Sequence, residues 1–229
     1  IIWRKQTNAP NKFMGSGMLP VGAYVTLEHE YILIFRKGTK REFKKENDKR
    51  IRRESAFFWE ERNIWFSDVW DFKGTSQKMK NISSRERSGA FPFELPFRLI
   101  NMYSVQGDTI LDPFLGTGTS IFAAMSSQRN SIGIEINKEY VDYFKSSINE
   151  FTHIYLNEYL EKRLENHVNF INNYETTHKD MKHKNDQFGF KVVTSQETDI
   201  RINFLNKIKE SGESEYLINY TDPPASIFF

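Results

Sequence analysis

The chain has 229 residues, of which 38% are hydrophobic and 27% charged, a globular composition at a length suited to one or two domains. Thirty-two Lys and Arg stand against 30 Asp and Glu, a net of +2, so bulk charge does not declare a nucleic-acid partner and any case for one must come from how the charge is distributed. The absence of cysteine excludes disulfide scaffolds, thiolate zinc sites, iron–sulfur clusters and cysteine nucleophiles together.

Ile1 to Lys5 and Glu30 to Lys37 are short runs rich in β-branched and aromatic residues, read as two adjacent antiparallel strands. The first run is neither a signal peptide nor a normal initiator. It leads us to expect a chain that begins inside a longer reading frame. No apolar run approaches the roughly 18 to 20 residues that span a bilayer, so neither a membrane nor an exported location is expected, and the chain is read as cytoplasmic. Between the two strands, Gly15-Ser16-Gly17, Pro20 and Gly22 punctuate an irregular loop. Arg36 to Glu54 then holds ten Lys or Arg and four Asp or Glu, either a solvated face or a segment that follows phosphates. Phe57, Phe58, Trp59, Trp65, Phe66, Trp70 and Phe72 fall within sixteen residues, as an aromatic core or a stacking surface.

A polar, basic stretch from Lys73 to Gly89 precedes a helix over Glu94 to Val105, with Pro96 in its tolerant first turn. Gly107-Asp108 is a turn, Thr109 to Leu111 a short buried strand, Ser120 to Ser126 a helix, Ser131 to Ile136 a strand and Lys138 to Ile148 a helix. Beyond Asn149 the pattern is helical to about Lys184, then ambiguous apart from the strand-like Tyr216 to Tyr220. His29, His153, His167, His178 and His183 show no metal-ligand spacing, so no metal is expected.

The sequence Asp112-Pro113-Phe114-Leu115-Gly116-Thr117-Gly118-Thr119-Ser120 closes a strand and opens a helix, the context in which a glycine-rich loop carries meaning. Gly116 and Gly118 let the backbone turn tightly against a ligand. Seventeen residues past Gly118, Glu135 ends the next strand, where a carboxylate can accept the hydroxyls of a ribose. The loop lacks the Gly-Lys-Ser/Thr ending of a phosphate cradle and the third glycine of the dinucleotide motif. Asp112 at its mouth is a poor neighbour for pyrophosphate and a good one for a cationic nucleoside, a description that S-adenosylmethionine fits.

At these residues the chain resembles the DNA amino-methyltransferases of the circularly permuted β class, which modify exocyclic nitrogens of adenine or cytosine. Asp112 to Thr119 is similar to their cofactor motif I, Gly133 to Tyr140 to the segment with the ribose-binding acid, and Ala90-Phe91-Pro92-Phe93-Glu94-Leu95-Pro96 to motif X, over the methionine end of the cofactor. Ile1 to Lys5 and His29 to Gly38 resemble the two strands at the far edge of the family's sheet. The resemblance spans about residues 1 to 148, and motif order is its most specific element.

The resemblance implies an α/β fold: a partial Rossmann-like S-adenosylmethionine-dependent methyltransferase with a helical C-terminal extension. It divides the chain into edge strands and the start of the basic run (1–45), a variable, target-recognition region (46–89), a cofactor-binding unit (90–150) and a mostly helical extension (151–229). It implies that Phe91, Pro92, Asp112, Phe114, Gly116, Thr117, Gly118, Thr119, Glu135 and Asn137 bind S-adenosylmethionine, and that duplex DNA is the partner, in a restriction-modification system. For DNA contact the candidates are Arg36, Lys37, Lys40, Arg41, Lys73, Gln77 and Lys78, with Arg85 and Arg87 also of base-reading type.

In the β class the catalytic tetrapeptide, Asp or Ser followed by Pro-Pro and an aromatic, precedes the edge strands. This implies that no catalytic residue lies in the chain, and that a missing N-terminal segment or a partner subunit carries the loop. Thr221-Asp222-Pro223-Pro224 is an alternative site for it, although Ala225 stands where the aromatic would be. Two other readings stay open: a catalytically silent cofactor- and DNA-binding subunit or remnant, and a methyltransferase acting on RNA or small molecules.

Overall fold

The computed structural model describes residues 1–5, 28–73, 91–148, 152–178 and 181–224. These form two compact units, the first from residues 1–40 and 65–92, the second from residues 41–64 and 93–229.

The first unit holds a three-stranded sheet in the order β2-β1-β3, formed by β1 (Ile2–Arg4), β2 (His29–Tyr31) and β3 (Val69–Asp71). β1 pairs antiparallel with β2, as expected, and parallel with β3. Trp3 and Trp70 are register partners and both are buried. Their indoles find acceptors, Trp3 Nε1 donating to the Phe72 carbonyl at 2.9 Å and Trp70 Nε1 to that of Trp65 at 3.1 Å, as buried indole N–H groups require. The strand expected over Glu30 to Lys37 is cut short. β1 offers only three partners, and the Ile32 amide bonding to the Ile1 carbonyl is the last rung. Leu33 and Phe35 beyond it are exposed.

The second unit begins with α1 (Glu46–Glu54), whose acidic first turn and basic last turn complement the helix dipole. It continues into α2 (Trp59–Trp65) and then α3 (Glu94–Tyr103), which buries Leu95, Phe97 and Ile100 and packs on α4 (Thr119–Ser126). α4 joins the parallel strands β4 (Thr109–Asp112) and β5 (Asn130–Gly133), and α5 (Lys138–Ser147) follows. This is the strand–loop–helix–strand unit of a Rossmann-like sheet.

β5 ends two residues before Glu135 rather than at it. Its partner β4 stops at Asp112, and the Ile134 amide bonding to the Asp112 carbonyl closes the ladder.

α6 (Thr152–Thr177) buries Leu156, Leu160, Leu164, His167 and Ile171 at spacings of three and four, a single helical stripe. It stops short of the expected Lys184. Thr176 and Thr177 turn their hydroxyls back to the Asn173 and Tyr174 carbonyls, competing for the backbone acceptors that a helix needs. Arg163 on α6 forms a two-pronged pair with Glu61, Nε to Oε1 at 2.5 Å and Nη2 to Oε2 at 2.8 Å. His167 stacks on Phe58 and meets Glu60 Oε1 at 2.8 Å.

After α6 come β6 (His183–Lys184), β7 (Lys191–Val192) and a long antiparallel hairpin of β8 (Phe204–Gly212) and β9 (Glu215–Thr221). β9 contains the strand-like Tyr216 to Tyr220, and β8 lies along α6.

Candidate functional site

The loop after β4 is shaped by its own side chains. Asp112 Oδ1 accepts the Phe114 amide at 3.0 Å, a local turn that an acidic residue at a strand end readily makes. The Leu115 amide bonds to the Ile134 carbonyl at 2.9 Å, tying the loop back to the chain leaving β5. Gly118 caps α4 with φ of 86°, in the left-handed region where a side chain is strained.

Glu135 lies half-buried at the centre. Its Oε2 accepts the Gly116 amide at 2.7 Å and its Oε1 the Asn137 amide at 2.8 Å. Each carboxylate oxygen keeps acceptor capacity beyond one hydrogen bond, so the group is oriented by backbone and still able to receive hydroxyls. Asn137 in turn caps α5, its Oδ1 accepting the Glu139 amide at 2.9 Å.

The structure therefore brings together Asp112, Phe114, Gly116, Thr117, Gly118, Thr119, Glu135 and Asn137 around one strand-end loop. Thr117 and Thr119 hydroxyls approach each other at 3.4 Å, and Phe114 projects outward, 87% exposed. Phe91 and Pro92 lead into α3 and belong to the first compact unit. A cavity of about 680 Å³ opens between β5, α5 and the β8–β9 hairpin, with Leu115, Glu135, Val141, Phe144, Tyr216 and Ile218 on its walls. That volume lies within the range of small-molecule sites.

Of the DNA-contact candidates, Arg36, Lys37, Lys40 and Lys73 are exposed. Arg41 is paired with Asp108 at 2.6 Å. Gln77 and Lys78, like Arg85 and Arg87, lie outside the described residues. Within the basic run, Lys44, Lys49, Arg50 and Arg53 also hold carboxylate partners, namely Glu42, Glu46, Glu54 and Asp199. Asp222 accepts from the Gln187 side-chain amide at 3.0 Å. Among the described residues, no group of three or more His, Asp or Glu side chains could hold a metal ion, and no helix is long and apolar enough to cross a membrane.

Sequence reasoning missed Phe144. Its ring fills the space where Gly118 would carry a side chain, and a Cβ there would lie 2.2 Å from Phe144 Cδ2. The one signal for it was its place two helical turns after Asn137.

The chain is 51% identical over 223 residues to the Type II methyltransferase M.MthZI of Methanothermobacter thermautotrophicus, a match covering 97% of this chain and 61% of that protein. It is 54% identical over 138 residues to the Type II methyltransferase M.MjaI of Methanocaldococcus jannaschii, covering 60% and 44%. It thus spans about three fifths or less of the length of these relatives. A Thermus thermophilus protein, a putative DNA modification methylase crystallised with S-adenosyl-L-methionine, aligns at 33% identity over 64% of this chain and 50% of its own, with a TM-score of 0.46. The sequence profile of the N6_N4_Mtase family, described as DNA methylase, matches residues 1–146, and with that match over more than half its length the chain belongs to this DNA methylase family.

Proposed function

We propose that this chain supplies the methyl-donor site and part of the DNA surface of a Type II modification enzyme, one that methylates an exocyclic amino group of adenine or cytosine in duplex DNA. The observation that carries the reading is Glu135, held by the Gly116 and Asn137 amides at the mouth of two parallel strands. A carboxylate fixed in that way beside a glycine loop suits the ribose of a nucleoside cofactor, and Asp112 beside it suits a cation. These residues fit S-adenosylmethionine, which supplies an electrophilic methyl on a sulfonium. In this reading Glu135 receives the ribose hydroxyls, the loop from Phe114 to Thr119 borders the donor, and Asp112 faces the cationic end. Residues 90–150 are then the cofactor-binding unit, and residues 46–89 the target-recognition region.

The loop that orients the target amino group is carried, in this reading, by a segment outside these 229 residues or by a partner subunit. Two observations support that. Asp222, the alternative catalytic acid, is engaged by Gln187. The β4–β5 pair also exposes apolar Leu111 and Ile132, register partners that are 60% and 55% exposed, whereas parallel sheets are covered on both faces. Labelled S-adenosylmethionine and duplex DNA test the reading. The chain alone should transfer no methyl, and adding the part of M.MthZI outside the matched region should restore transfer to an amino nitrogen. Transfer by the chain alone, abolished by Asp222→Ala, would assign the catalytic acid to Asp222 instead. Transfer to RNA or free nucleosides in place of DNA would overturn the substrate class.

A further inference from the structure

α5 touches the glycine loop twice. At its first turn, Asn137 caps the helix through Glu139 and donates its own amide to Glu135, whose other oxygen holds Gly116. Seven residues on, Phe144 is buried with its ring against Gly118, so close that an added Cβ would stand 2.2 Å and 2.5 Å from ring carbons Cδ2 and Cε2. No real Cβ tolerates such a distance, and the contacting atoms belong to a ring wedged in place. Phe122 of α4 lies at 5.6 Å between centroids on one side, and Tyr216 of the β8–β9 hairpin meets the ring edge-on at 6.4 Å. A third contact works the same way. Leu115 fills the space beside Gly133, where a Cβ would approach its methyl carbons to 2.8 Å.

Gly118 at the cap of α4 and Gly133 at the end of β5 therefore do more than free the backbone. Their missing side chains are receptacles, one for a ring from α5 and one for a loop leucine, and both fix the loop's height above the sheet. A loop that must present donors and Glu135 to a ligand at hydrogen-bond distance is sensitive to displacements of about 1 Å.

We propose that Phe144 is a positioning residue for the methyl donor: its ring, seated in the space left by Gly118 and backed by Tyr216, holds the loop from Leu115 to Gly118 at the height at which Glu135 and the loop engage the cofactor. The inference rests on the cofactor reading above. It makes the hairpin β8–β9, far along the sequence from the glycine loop, a determinant of cofactor affinity.

The test measures S-adenosylmethionine dissociation constants by calorimetry on the full chain, with circular dichroism to establish folding. Phe144→Ala should weaken binding by about tenfold, whereas Leu160→Ala, which empties a fully buried site on α6 and destabilises the fold, should change it by less than about twofold. A double-mutant cycle gives the specific readout. Gly118→Ala should be more damaging in the parent than in Phe144→Ala, because removing the ring removes the clash and leaves only the backbone strain.

An affinity of Phe144→Ala within about twofold of the parent overturns the proposal, as does an equal loss in Leu160→Ala or an additive cycle. Should Phe144→Ala not fold, Phe144→Leu is judged by the same comparison. Glu135→Ala separates this inference from the one beneath it. A parent that binds and a Glu135→Ala variant that does not leave the cofactor reading standing whatever Phe144 does, while a parent that fails to bind overturns both.

Discussion

At Glu135 the two carboxylate oxygens are committed to backbone amides before any ligand arrives. In the proposed cofactor site, removing the side chain costs the ligand one charge-assisted partner, and it also releases the loop at Gly116. A hydrogen bond to a charged group contributes about 1.5 to 3 kcal/mol, so Glu135→Ala should weaken S-adenosylmethionine binding by about tenfold to a hundredfold. Calorimetry showing parent-like affinity would remove Glu135 from the site. The place of Glu135 and the glycines at one strand-end loop was legible from spacing and strand context. Phe144 was not, because a phenylalanine on an amphipathic helix looks the same whether its ring fills a general core or the space beside one particular glycine.

Buried phenols tie the stability of the fold to pH. Burial, and after it the Glu94 carboxylate that accepts its hydroxyl, holds Tyr159 well above its ordinary value of 10.0, and burial does the same for Tyr220. The unfolded chain releases these protons near pH 10 while the folded chain keeps them. Their contribution to stability is thus complete below pH 10 and lost as pH rises. Arg129 works in the opposite sense. Burial, then the nearby Arg163, lowers its guanidinium from 12.5 to about 10, so above pH 10 the unfolded state holds the extra proton and stability gains. Tyr216 is raised in the same sense by burial and by Glu210, so the phenols outweigh the one guanidinium and stability slopes downward on balance as pH rises above 10. Urea denaturation between pH 10 and 11 should show that slope, and Tyr159→Phe should flatten it.

At the scale of elements, the basic run divides by its partners. Arg41, Lys44, Lys49, Arg50 and Arg53 are each within ion-pair distance of a carboxylate. Arg41 and Arg52 also flank the ring of Phe43 at 4.9 and 5.0 Å. A cation already neutralised by a neighbour releases fewer counterions on meeting a phosphate. If the run follows DNA, replacing Arg36, Lys37 and Lys40 with Gln should reduce the slope of log affinity against log salt by about 0.9 per lost contact, and replacing Lys44, Lys49 and Arg50 should reduce it less. Equal slopes in parent and both variants would make the run a solvated face. The sequence carried the charge count but not this division, since pairs such as Arg53 with Asp199 join residues far apart in the chain. β3 escaped sequence reading for a similar reason. Three residues within an aromatic run become a strand only because Trp70 finds Trp3 as its neighbour on β1. Elements with a strong local period, such as α3, α4 and α5, were found to within a residue or two.

At the scale of the molecule, the order of elements puts the glycine loop and the carboxylate in one compact unit and the three-stranded sheet in another. Along the chain the two units interleave, with residues 41–64 in the second and residues 65–92 in the first. Composition could not reveal this, because the aromatic cluster straddles both. Phe58 is buried in the second unit while Trp65 and Trp70 are buried in the first.

That straddling gives the molecule an uneven optical label. Of its four tryptophans, Trp3, Trp65 and Trp70 belong to the first unit and are buried, and Trp59 alone belongs to the second. Far-ultraviolet ellipticity, by contrast, is dominated by α1 and α3 to α6, all in the second. Indole emission and helical ellipticity therefore follow different halves of the chain on heating. If the units melt separately the two curves should part, with the red shift of emission marking loss of the Trp3–Trp70 sheet. If they melt as one cooperative body, the curves should coincide. A ligand seated on the glycine loop should then move the ellipticity midpoint upward, and in the first case leave the emission midpoint where it was.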